Sequence, residues 1–170
     1  LQKVFLAEAA KYHVLPMDDR VFERLDGALV GRPDLMAGRT SMTLAEGMTG
    51  MMESVFINVK NRSKVLSAEI EVPAGRVHGT LLAQGGRFGG WSLYVKDGIP
   101  AYEYNFLGLE RTSVAATQPL APGKATVRFE FAYDGGGPGK GGVGTLYVNG
   151  EKVAEGRIEH TQAGLFSADE

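Results

Sequence analysis

The run GPGKGG at residues 137–142 matches the letter of a G-x-G-x-x-G phosphate loop. Such a loop holds phosphates where a strand feeds the N-terminus of a helix, whose free N–H groups and dipole face the anion. Here the following residues, VGTLYVNG, alternate as a strand does. The Walker pattern fails too, since its first glycine position holds Asp134 and Gly141 stands where Ser or Thr would ligate magnesium. The stretch therefore reads as a connection between strands.

Two arginines are better placed for binding chemistry. Arg87 and Arg111 lie in GGRFGG and GLERT, which read as polar loops. A guanidinium there forks onto a carboxylate of another domain or onto a sulfate, or else stays solvated or pairs within its own domain. Trp91, Tyr94, Tyr102, Tyr104 and Phe106 supply rings that stack on the apolar face of a sugar or aryl group. Alternation places Trp91 opposite Tyr94, on the face of Leu93 and Val95, so Trp91 reads as a core residue. His13, His78 and His160 stand apart, without the H-x-x-x-H or H-x-H spacing of a metal site. Glu69, Glu71, Glu103 and Glu130 would serve a sandwich hydrolase only if paired across a concave face, and their spacing reads as the wet side of strands. Asn61-Arg62-Ser63 matches the glycosylation sequon.

The elements that must position these groups are mostly strands. KVLSAEIEVP sets Leu66, Ala68, Ile70 and Val72 against Ser67, Glu69 and Glu71, the period-two pattern of a strand with one wet face. WSLYVKDGIPAYEY turns at Asp97-Gly98, and GTLYVNGEKVAEG turns at Asn149-Gly150, both strong hairpin signals. ATVRFEFAYD alternates again, with Val127, Phe129, Phe131 and Tyr133 inward and Arg128 and Glu130 outward. These runs predict a mainly β protein, an antiparallel β-sandwich over residues 61–170.

Residues 1–60 read differently. Val4, Phe5, Ala9 and Tyr12 follow helical spacing over Leu1 to Val14, and Pro16 is expected to end that short amphipathic helix. A single further turn is expected at DDRVFERLD, residues 18–26, within a connecting segment rich in methionine and glycine. Met36, Met42, Met48, Met51 and Met52 suit an irregular apolar surface. The helix and this segment are expected either to meet another domain or, for the helix, to cap one end of the sandwich.

The 170 residues, 44% hydrophobic and 22% charged, are enough for one domain with a real core. A formal net charge of −2 gives no electrostatic reason to expect nucleic acid or an anionic membrane as partner. The absence of cysteine excludes disulfides and thiolate metal sites. No apolar run approaches the ~18 residues of a membrane-spanning helix, and the N-terminal run lacks the order of a signal peptide. The chain opens without methionine, as if in mid-helix, which reads as a fragment.

The ordered segments EAAKYHVLPMDDR, NVKNRS, AQGGRFGGWSLYVKDGIPAYEYNFLGLER and TVRFEFAYDGGGPGKGGVGTLYVNGEKVAEGRIEHT resemble the C-terminal part of a group of bacterial arylsulfatases. The resemblance implies a jelly-roll sandwich, similar to the concanavalin and laminin-G type, that follows a catalytic sulfatase domain in a periplasmic or secreted enzyme. It also implies that calcium and formylglycine belong to that other domain. The C/S-x-P-S/A-x-R motif has no match here, so no catalytic or metal-binding residue carries over, and the chain alone is expected to be inactive.

Three functions stand on these observations. One is a non-catalytic accessory domain of an arylsulfatase, partnered by the catalytic domain of the same polypeptide and, as an isolated fragment, by copies of itself. The second is a lectin-like carbohydrate-binding module, with Arg87, Arg111, Tyr94, Tyr102 and Tyr104 as binding residues. The third is a self-contained sandwich hydrolase.

Overall fold

The structure is a computed structural model that describes residues 1–17, 33 and 35–166. The turn expected at residues 18–26 lies outside the described residues. The chain divides into two compact units, Leu1–Leu35 and Met36–Glu170.

In the first unit, α1 spans Gln2–Lys11. Its alanines, Glu8 and Lys11 are good helix formers, and Lys11 in the last turn opposes the helix dipole. The helix ends before Pro16 acts. The Val14 N–H donates to the Ala9 carbonyl and the His13 N–H to the Ala10 carbonyl, with His13 at φ 55°, which is a Schellman stop. His13 is thus a C-terminal cap. Val4, Phe5 and Tyr12 of the expected stripe are exposed, and Ala9 is buried.

The second unit is a β-sandwich of two four-stranded antiparallel sheets. One sheet has the order β1 (Lys64–Val72), β6 (Gly123–Tyr133), β7 (Gly142–Val148), β8 (Glu151–Ile158). The other is a meander of β2 (Gly79–Gly86), β3 (Gly89–Lys96), β4 (Ile99–Phe106) and β5 (Glu110–Ala115). Most of the expected inward residues are buried, namely Leu66, Val72, Trp91, Leu93, Val95, Val127, Phe129 and Phe131, while Ala68, Ile70 and Tyr133 are half-buried. Tyr102 stacks on Phe129, ring centres 3.6 Å apart, and so joins the two sheets at the centre. Asp97-Gly98 and Asn149-Gly150 take positive φ at both positions, as a type I′ hairpin requires.

The sandwich unit begins before residue 61. A short 3₁₀ turn at Glu53–Val55 leads into Phe56 and Ile57, which pack on the core, and Val59, which is buried in it. At the same end the last described residues, 161–166, return to insert Phe166. Phe56, Ile57 and Val59 of this segment therefore pack with the sandwich core.

Candidate functional site

The glycine-rich connection is built to let backbones touch. It joins β6 to β7 with no helix. A Cβ on Gly141 would collide with the Ile158 carbonyl oxygen, and one on Gly142 with the Phe131 ring. The Tyr133 hydroxyl donates to the Gly137 carbonyl and accepts from the Lys140 N–H, which pins the loop from inside. Arg157 forks onto Asp134 at 2.8 and 2.5 Å and holds that carboxyl below its usual range. Asn61 accepts from the Gly139 N–H and donates to the Ala163 carbonyl, so the sequon asparagine is an internal tie.

The candidate binding residues divide between the two faces of the β2–β5 sheet. Tyr102 is 0% exposed and Tyr104 2% exposed, so both expected ring platforms lie in the core with Trp91. The reason is parity: with Leu93 and Trp91 inward, their cross-strand partners Tyr102 and Tyr104 point inward too. Burial raises both phenols, Tyr104 to about 12. Tyr94 lies on the outer face and is half-buried.

The same outer face brings Arg87 and Arg111 to one shallow cleft of about 250 Å³, with Ser92, Glu103 and Asn105. Arg87 occupies the β2–β3 turn as expected. Arg111 does not lie in a loop: positive φ at Leu107 and Gly108 reverses the chain tightly, and Arg111 enters β5 opposite Asn105. Its guanidinium meets the Glu103 carboxylate at 3.0 Å. Gly85 and Gly90, which also line the cleft, face each other across β2 and β3, where a Cβ on either would strike backbone.

Asn105 supports this cleft and was not singled out by the sequence reading. Its Nδ2 donates to the Gly86 and Arg87 carbonyls at 3.0 and 2.9 Å, and its Oδ1 accepts from the Gly108 N–H at 3.0 Å. One buried side chain therefore locks the β2–β3 and β4–β5 turns together. Those turns present Phe88, Leu107 and Leu109, which are 54%, 40% and 82% exposed. The Arg87 guanidinium lies 5.6 Å from the Phe88 ring centre.

The strand carboxylates do not converge. Glu69, Glu71 and Glu130 point outward from the β1–β6 pair, whereas Glu103 points outward from the opposite sheet. Glu130 pairs with Arg128. Among the histidines, His78 Nδ1 lies 3.9 Å from Asp97, and His160 packs 5.6 Å from the Phe106 ring.

A second residue escaped the sequence reading although its position was legible. Continuing the inward series Leu66, Ala68, Ile70 back by two places reaches Lys64, whose ammonium enters the core among Trp91, Tyr104 and Phe131. Comparison of this chain with protein-family models and with curated proteins finds no match.

Proposed function

We propose that this chain is a non-catalytic accessory domain of an arylsulfatase, and that it docks on the catalytic domain of the same polypeptide. One observation carries the docking: two turns locked together by Asn105 expose Phe88, Leu107 and Leu109 beside the Arg87 and Arg111 guanidiniums. Exposed apolar side chains grouped with arginine are the composition of a protein interface. Preorganised turns also lose less entropy on docking than loose ones. The resemblance of the ordered segments supplies the parent enzyme, and Glu103 already held by Arg111 supplies a carboxylate that can be exchanged for one on the partner. Sequencing the coding DNA upstream of Leu1 tests the reading. An in-frame sulfatase domain with the formylglycine motif is expected, and an unrelated domain there contradicts it.

A second reading, carbohydrate binding, draws on Tyr94 and the polar cleft on the same outer face. It expects the chain to bind a glycan on an array and Tyr94→Ala to abolish that binding without changing stability. Absence of any glycan signal removes it.

A further inference from the structure

Lys64 plays no part in the docking surface, and its surroundings are poor for an ammonium. Its Nζ lies 5.6 Å from the Trp91 ring centre, 5.9 Å from that of Tyr104 and 5.3 Å from that of Phe131. Three aromatic faces attract a cation. They do not replace hydrogen bonds, and an ammonium has three donors to satisfy. The acceptor offered is the Val59 carbonyl, at 3.5 Å. Lys64 remains partly exposed along its length, but the charged end is withdrawn from water.

Two segments close this end of the sandwich. Glu53 accepts from the Phe166 N–H at 3.1 Å with one carboxylate oxygen and meets the Lys60 ammonium with the other. The Lys60 ammonium also lies 5.0 Å from the Phe166 ring centre. The Gln162 N–H donates to the Tyr104 hydroxyl at 2.7 Å. Residues 53–60 and 161–166 are thus fastened to each other and to one wall of the Lys64 cage.

We infer that these two segments form a pH-sensitive flap, which loosens when Lys64 is protonated and seals when Lys64 is neutral. The groups that face Lys64 give it no counter-charge. The cover contributes Glu53 and Lys60, already paired with each other, and Arg62 adds a positive charge that acts on Lys60. The strands contribute the Tyr104 phenol, raised to about 12, and the rings of Trp91 and Phe131, none of which carries charge in this range. Desolvation first, and the Lys60 charge second, hold the Lys64 amine down to about 7. Protonation in this range leaves an ammonium without enough acceptors, and opening the cover admits water to supply them.

Trp91 is the single tryptophan of the chain and forms one wall of the cage, so it reports on this event directly. Acrylamide quenching of Trp91 in the whole chain should increase at least twofold between about pH 8.5 and pH 5.5, with a midpoint near 7, the proton affinity of Lys64. Lys64→Met should stay folded and give weak, pH-independent quenching. His160→Gln should keep the wild-type transition, because the inference assigns no part of it to histidine. A flat wild-type profile overturns the flap. So does a transition that survives in Lys64→Met, one that disappears in His160→Gln, or a Lys64→Met protein less stable than wild type.

Discussion

Tyr102 and Phe129 stack face to face between the two sheets, centres 3.6 Å apart and planes 9° from parallel. Both rings are fully buried, and the Tyr102 hydroxyl has no hydrogen-bond partner among the described residues. The contact is therefore valuable for its rings and costly for its oxygen. Phe129→Ala should destabilise the fold by ~3 to 5 kcal/mol, the range for emptying a large aromatic site. Tyr102→Phe should be neutral or stabilise by up to about 1 kcal/mol, since it removes an unpaired polar group. Urea unfolding of the two variants measures both effects. A loss above about 1 kcal/mol in Tyr102→Phe contradicts the orphaned hydroxyl.

Stability should rise from about pH 7 to about pH 10 and then fall. The Lys64 amine binds its proton less tightly in the folded chain, near 7, than its ordinary value of 10.5. Between those values the unfolded chain holds the extra proton, so stability increases with pH by at most ~1.4 kcal/mol per unit. The tyrosines act the other way. Tyr102 and Tyr104 are raised above their ordinary 10, so beyond that pH the unfolded chain ionises first and stability is lost. Lys60, lowered to about 8 by burial, adds to this rise, so denaturant midpoints should show the full rise in wild type and a smaller one, confined to above about pH 8, in Lys64→Met.

Asn105→Ala should cost roughly 2 to 3 kcal/mol, about one per hydrogen bond removed. Its Nδ2 and Oδ1 make three such bonds between the β2–β3 and β4–β5 turns. Hydrogen exchange should show faster opening of both turns and not of the Asn149-Gly150 turn. Equal protection in wild type and variant contradicts the lock.

Gly90→Ala should fold poorly, because Gly90 sits at φ 138° and a Cβ there meets the Gln84 carbonyl oxygen. Gly136→Ala is the matched control, also at positive φ but with open space around it. Thermal unfolding should separate the two by several degrees, with Gly90→Ala the lower. A similar midpoint for both variants contradicts the close approach of β2 and β3.

The strands legible in the sequence were those where one face is wet and the ends carry hairpin turns. β1 and β6 show the wet face, and the pairs β3–β4 and β7–β8 carry the hairpin turns at Asp97-Gly98 and Asn149-Gly150. β2 broke it, because a register shift between Thr80 and Leu82 interrupts its alternation and its end is Gln84-Gly85-Gly86. β5, ERTSVA, is a polar edge strand that buries only Val114, so Arg111 read as a loop residue. The inward tyrosines needed the register of β3 with β4, which local alternation does not supply. The sealing of the sandwich end was beyond any local pattern, since Glu53 and the Phe166 N–H are 113 positions apart. Lys64 was within reach, two residues before Leu66 on the same face.

Docking through the Phe88 and Leu109 turns is measured most directly by binding. The catalytic sulfatase domain proposed above as partner, produced separately, should form a one-to-one complex with residues 1–170 in light scattering and calorimetry. Both side chains are exposed, so the double variant Phe88→Asp, Leu109→Asp should keep its unfolding midpoint. Its affinity should fall at least ~10-fold, which corresponds to about 1.4 kcal/mol. No complex with the wild-type chain, or a complex whose affinity the double variant leaves unchanged, contradicts the account.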